Sequence, residues 1–121
     1  MGTVILTWNI QWGRGVDGHA DIARQLAEAH AMASFDVLCL QEVTSGFGRL
    51  PGHPSADQWG ELADRLGPQY SVIGGFALER HDGNHVQRFG NAIATRLPVL
   101  HVTRHALPCP PDTTPTMPRM A

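Results

Sequence analysis

The sequence predicts a layered α/β domain built on a mixed sheet. Apolar, β-branched stretches alternate with amphipathic helical stretches in the order β-α-β-α, and several short strand-like stretches follow. Glycine and proline punctuate the joins. The 121 residues are enough for one core and too few for two ordinary domains.

The elements follow in chain order. "TVILTWNI" has the β-branched and apolar residues of a first strand, and "WGRGVDG" is a glycine-rich loop. In "DIARQLAEAHAMA", Ile22, Leu26 and Ala29 or Ala33 fall on one helical face, with Asp21 placed to cap it. "DVLCLQEV" is the second strand, with an unbroken apolar run suited to burial on both faces. A second helix is expected in "HPSADQWGELADRLGP". Ser55 and Gln58 have capping-box spacing there, Trp59, Leu62, Ala63 and Leu66 form the apolar stripe, and Gly67 and Pro68 close it. Short strands are expected at "YSVIGG", "FALE", "NAIAT" and "VLHVTRHAL". The tail "PCPPDTTPTMPRMA" is rich in Pro and Thr and is expected to be a loop leading on to a missing strand.

Composition excludes several functions. The formal charge of −2 gives no general attraction to polyanions. All nine basic residues are arginines, so neither a P-loop lysine nor a Schiff-base lysine operates in this chain. Apolar runs fall short of a membrane span and no signal-peptide pattern opens the chain, which makes a cytoplasmic setting the default. Cys39 and Cys109 form no CxxC, so no disulfide framework or zinc knuckle is suggested. His81 and His85, like His101 and His105, have the i,i+4 spacing of a zinc pair, but in loop and strand sequence rather than a helix, so surface roles are expected. Asp17, Asp21 and Asp36 read as cap or strand-edge residues, and Trp8 as core packing.

Gly13, Gly15 and Gly18 match G-x-G-x-x-G between a strand and a helix, and the next strand carries an acid, Glu42. This is the nucleotide-binding alternative, a Rossmann-like domain. His19 and Ala20 weigh against it, because they separate the last glycine from the expected cap at Asp21. In the fingerprint the helix begins within the motif, so that its N–H groups meet the pyrophosphate.

Glu42 poses its own question, since an acid follows an apolar strand where an unpaired charge is costly. Taken in order, "TWNIQWG", "DVLCLQEV" and "FGNAIATRLPV" resemble the N-terminal half of the endonuclease/exonuclease/phosphatase superfamily, the metal-dependent phosphoesterases related to deoxyribonuclease I and exonuclease III. The resemblance matches Asn9 to the asparagine of a T-x-N strand end. It matches Glu42 to the metal-binding glutamate of L-Q-E, and Gly90 to Pro98 to G-N-A-I-x-[ST]-R-x-P.

It implies a deoxyribonuclease I-like four-layer α/β sandwich, with residues 1–107 as its N-terminal half and 108–121 as a loop or tail beyond. It implies phosphodiester or phosphomonoester hydrolysis assisted by Mg²⁺ or Mn²⁺ held at Glu42, with Asn9 as an orienting amide. Trp12, Asn91 and Arg119 are secondary, substrate-side candidates, although Asn91 also suits a sheet-edge amide and Gln41 is expected to alternate away from Glu42. The substrate is a phosphate ester, either nucleic acid or a phospholipid or inositol phosphate.

In the family, water is activated by groups further along, and the G-D-F-N and closing D-H patterns do not occur in this sequence. The chain is therefore expected to be inactive alone, with a bare sheet face covered by a second copy or a C-terminal fragment. A non-catalytic interaction half-domain is the remaining alternative.

Overall fold

A computed structural model of the chain describes residues 2–106, the side chain of Asp82 apart. The strands are β1 (Ile5–Asn9), β2 (Val37–Ser45), β3 (Ser71–Asp82) and β4 (His85–Thr95), and the helices are α1 (Ile22–Met32) and α2 (Gln58–Leu66). They form a mixed sheet of order β1-β2-β4-β3. β1 and β2 are parallel and joined through α1, while β4 is antiparallel to both β2 and β3. The α/β class and mixed sheet read from the sequence are the observed ones.

Both helices pack on one face. Ile22, Leu26 and Ala29 of α1 and Leu62 of α2 share one core with Leu38, Leu40 and Val43 of β2 and Ala92 and Ala94 of β4. The other face is open. Ile5 is 64% exposed and Ile93 is 44% exposed, where a covered sheet would bury both.

α1 starts as expected, with the Asp21 carboxylate accepting from the Arg24 N–H. α2 departs from the expected capping box. Its cap is Asp57, which accepts from the Gly60 N–H, while Ser55 donates to Glu61. Asp57 stands immediately before the helix and can reach the third amide, so Gln58 becomes its first residue. Gly67, at a left-handed φ of 87°, ends it as expected.

"YSVIGG" and "FALE" belong to one long strand, β3, interrupted by a bulge between Phe76 and Leu78. "NAIAT" is the second half of β4, whose first half pairs back to β3 across the Gly83-Asn84 turn with Gly83 at φ 61°. The described part of "VLHVTRHAL" is not a strand, and Leu100 there is 94% exposed. Its apolar composition suited a strand, but no neighbouring strand is paired with it among the described residues. Arg119, Cys109 and the 108–121 tail lie outside the described residues. Within them, no helix is long and apolar enough to cross a membrane.

Candidate metal-binding rim of the sheet

Register brings the two principal candidates together. Asn9, the last residue of β1, pairs with Gln41 of β2. Leu40 pairs with Ala92 and Val43 with Gly90, so Gln41 and Glu42 together stand opposite Asn91. Asn91 in turn pairs with Gly75 of β3. Asn9, Gln41, Glu42 and Asn91 thus form one row across the sheet.

The bulge changes which way these residues face. Leu40 and Val43 are both buried on the helical side, at 3% and 0% exposure, although they stand three positions apart along the strand. One step of the alternation is therefore lost, and both Gln41 and Glu42 turn to the open face with Asn9 and Asn91. This corrects the expectation that Gln41 alternates away from Glu42, which assumed a regular strand. Gln41 donates through its side-chain amide to the Thr7 hydroxyl at 3.1 Å, fastening itself to β1.

Glu42 occupies the left-handed region, with φ 59°. For a residue with a Cβ this costs roughly 1–2 kcal/mol and persists only where its surroundings impose it. Gln11 and Trp12, both at φ 47°, are left-handed too, so three of the four such non-glycine residues flank this rim. Glu42 is half-buried and, among the described residues, makes no salt bridge. Its charge is not neutralised by an arginine there.

Asn9 is exposed, and its side-chain oxygen is already committed, accepting the Gln11 N–H at 3.1 Å. Its side-chain NH₂ is the group left to face a ligand. Trp12 is half-buried and tied down, its indole N–H donating to the Pro51 carbonyl at 2.7 Å and its ring tilted against Phe89 at 6.4 Å. Asn91 presents an exposed side chain, while its backbone carbonyl accepts from the Trp59 indole at 3.0 Å.

Gly90 is what allows the row. A Cβ there would lie 2.0 Å from the Gly75 carbonyl oxygen and 2.8 Å from the Phe76 Cα. The bulges in β2 and β3 both fall beside this residue.

The glycine loop between β1 and α1 is filled from within. A Cβ on Gly15 would lie 2.3 Å from the Arg24 guanidinium, which bonds Asp17 and the His19 carbonyl. Arg24 holds the Asp17 carboxyl below its ordinary range, chiefly through that hydrogen bond. Asp21, not an open anion site, occupies the helix start. Cys39, half-buried on the open face, has a thiol that burial pushes up, which disfavours the thiolate.

A cleft of about 400 Å³, lined by Phe47, Arg49, Leu50, His85 and Gln87, lies past the end of β2. None of Asn9, Glu42 or Asn91 lines it. The row is a sheet margin, not a closed cavity.

The described residues form a single mixed sheet with both helices on one face and an acid raised on a bulge at its margin. A family model described as the Endonuclease/Exonuclease/phosphatase family matches residues 6–119, and the chain belongs to that family. Its members are hydrolases that generally use divalent metals. No curated protein and no solved structure matches the chain significantly.

Proposed function

We propose that this chain supplies the Asn9 and Glu42 side of a divalent-metal-dependent phosphoesterase site. The observation that carries the reading is the β2 bulge, which lifts a strained carboxylate, without a salt bridge among the described residues, onto the open face in line with two side-chain amides. Mg²⁺ or Mn²⁺ fits this donor set, because such hard cations accept one or two carboxylates and keep their remaining waters. No group of three or more His, Cys, Asp or Glu side chains gathers among the described residues, so an all-protein zinc cage does not fit.

When bound, the cation stabilises charge developing on the phosphoryl oxygens during in-line displacement. Glu42 holds it through oxygen. The Asn9 NH₂ donates to a phosphoryl oxygen or to a catalytic carboxylate, and does so without adding charge beside the metal. Asn91 offers a second neutral amide on the far side of Glu42. Trp12, braced against Pro51 and Phe89, borders the site and shapes its approach. Arg119 joins the substrate side by its place in the family pattern alone.

The substrate class is a phosphodiester or phosphomonoester, of nucleic acid or of a phospholipid or inositol phosphate. The open face, with Ile5 and Ile93 exposed, is covered by a second copy or by a separate C-terminal fragment, and of the two only the fragment brings the water-activating groups. Light scattering that finds a compact, stable monomer would count against that cover.

Calorimetric titration with Mn²⁺ tests the metal reading. Binding to the isolated chain is weak, and Glu42→Gln removes it. An isotherm that Glu42→Gln leaves unchanged would refute the assignment. The isolated chain hydrolyses phosphodiesters at background rate, and robust Mg²⁺-dependent turnover by it would show that it holds the full catalytic set.

A further inference from the structure

Gln58 is fully buried, at 0% exposure, although it is a polar residue in the first turn of α2. Capping does not explain it, because Asp57 caps the helix. Both ends of its carboxamide are used elsewhere. Oε1 accepts the Thr44 backbone N–H at 3.1 Å, and Nε2 donates to the Trp12 carbonyl oxygen at 2.8 Å.

Each partner is a backbone group that no strand reaches on its own side. β1 ends at Asn9 opposite Gln41, so beyond that point β2 has no parallel neighbour on that side for Thr44 to meet. Trp12 sits in a left-handed turn. Buried backbone groups of this kind need a partner, and one side chain satisfies both.

The two bonds lead to the two candidate ligands. Trp12 adjoins Gln11, whose N–H is held by the Asn9 side-chain oxygen. Thr44 lies two residues past Glu42 and one past Val43, where the ladder resumes after the bulge. Displacement of the Trp12 loop moves the Asn9 amide, and displacement of the β2 end moves the Glu42 carboxylate.

We infer that Gln58 is the positioning residue of this site, a buried amide that locks the Trp12 loop to the strand end past Glu42 so that Asn9 and Glu42 face a ligand at fixed separation. What the pair serves rests on the phosphoesterase reading; the mechanical link does not.

The test compares the full chain with Gln58→Met, which removes both bonds at similar volume, and Gln58→Glu, which keeps the acceptor for Thr44 and loses the donor to Trp12. NMR resonances of the Asn9 carboxamide and the Glu42 amide are followed with and without Mn²⁺. Gln58→Met moves both resonances and weakens Mn²⁺ binding roughly tenfold, the scale of lost outer-sphere support. Gln58→Glu moves Trp12, Gln11 and the Asn9 carboxamide more than Glu42.

A folded Gln58→Met with wild-type Mn²⁺ affinity and unmoved Asn9 and Glu42 resonances overturns the inference, leaving Gln58 a core residue. If Mn²⁺ broadens neither group in the wild type while the variants still displace both, the link stands and the metal reading falls. Should the variants not fold, hydrogen exchange in the wild type decides. Gln58 carboxamide protons as slow as the Thr44 amide support the link, and protons as fast as those of an exposed amide overturn it.

Discussion

Arg96 grips Asp36 across the end of the sheet opposite to Glu42, its guanidinium donating to one carboxylate oxygen while the Val4 N–H donates to the other at 2.7 Å. Arg96 is the arginine of the G-N-A-I-x-[ST]-R-x-P segment. Its work here is to fasten the ends of β1, β2 and β4 together, and the Arg96 backbone N–H adds a bond to the Asp36 carbonyl at 3.1 Å.

That clasp gives a pH dependence. The Val4 N–H first, and then Arg96, hold the Asp36 carboxyl below its ordinary range. A lowered folded value means that the stabilisation is present above the unfolded carboxylate pKa and is lost as pH falls through the folded one. Asp36→Asn therefore lowers the urea midpoint at neutral pH, and its difference from wild type shrinks as pH falls below the ordinary carboxylate range. A constant difference across that range would show that Asp36 acts by packing.

Gly90→Ala tests the double bulge. The added methyl meets the Gly75 carbonyl and the Phe76 Cα, both backbone, with no flexible side chain to give way. The expected loss is about 3 kcal/mol or more in urea unfolding. A loss below about 1 kcal/mol would mean that β3 and β4 separate easily at this row.

Strain at Glu42 sets stability against function. Glu42→Gly relieves the left-handed backbone, and unfolding free energy rises by about 1 kcal/mol after the added freedom of the unfolded chain is set against it. Mn²⁺ binding is lost in the same variant. A protein made less stable by Glu42→Gly would show that the carboxylate is held by contacts within the fold.

The two atoms of the Asn9 amide separate two roles. Asn9→Asp keeps the acceptor for Gln11 and so keeps the turn, whereas Asn9→Ala costs about 1 kcal/mol of stability. Asn9→Asp also sets a second carboxylate beside Glu42. Mn²⁺ binds more tightly to it, and inorganic phosphate binds less tightly to the Mn²⁺-loaded protein. Unchanged phosphate binding would remove Asn9 from the substrate side.

Local signals in the sequence determined the α/β order, the Asp21 cap, the Gly67 stop and the apolar faces of both helices except Ala63, which is exposed, because caps and periodicity act within a few residues. The three family segments are legible in the sequence too, and they carry the proposal for Asn9 and Glu42. Tertiary structure alone decided the rest. That Gln41 shares a face with Glu42 depends on a bulge opposite Asn91, and an inserted residue in a ladder is defined only by the partner strand. That Gln58 joins Thr44 to Trp12, and not a capping box with Ser55, depends on where β1 stops and leaves Thr44 without a parallel neighbour on that side. Such needs arise from backbone groups far apart in the chain, and no spacing along it records them.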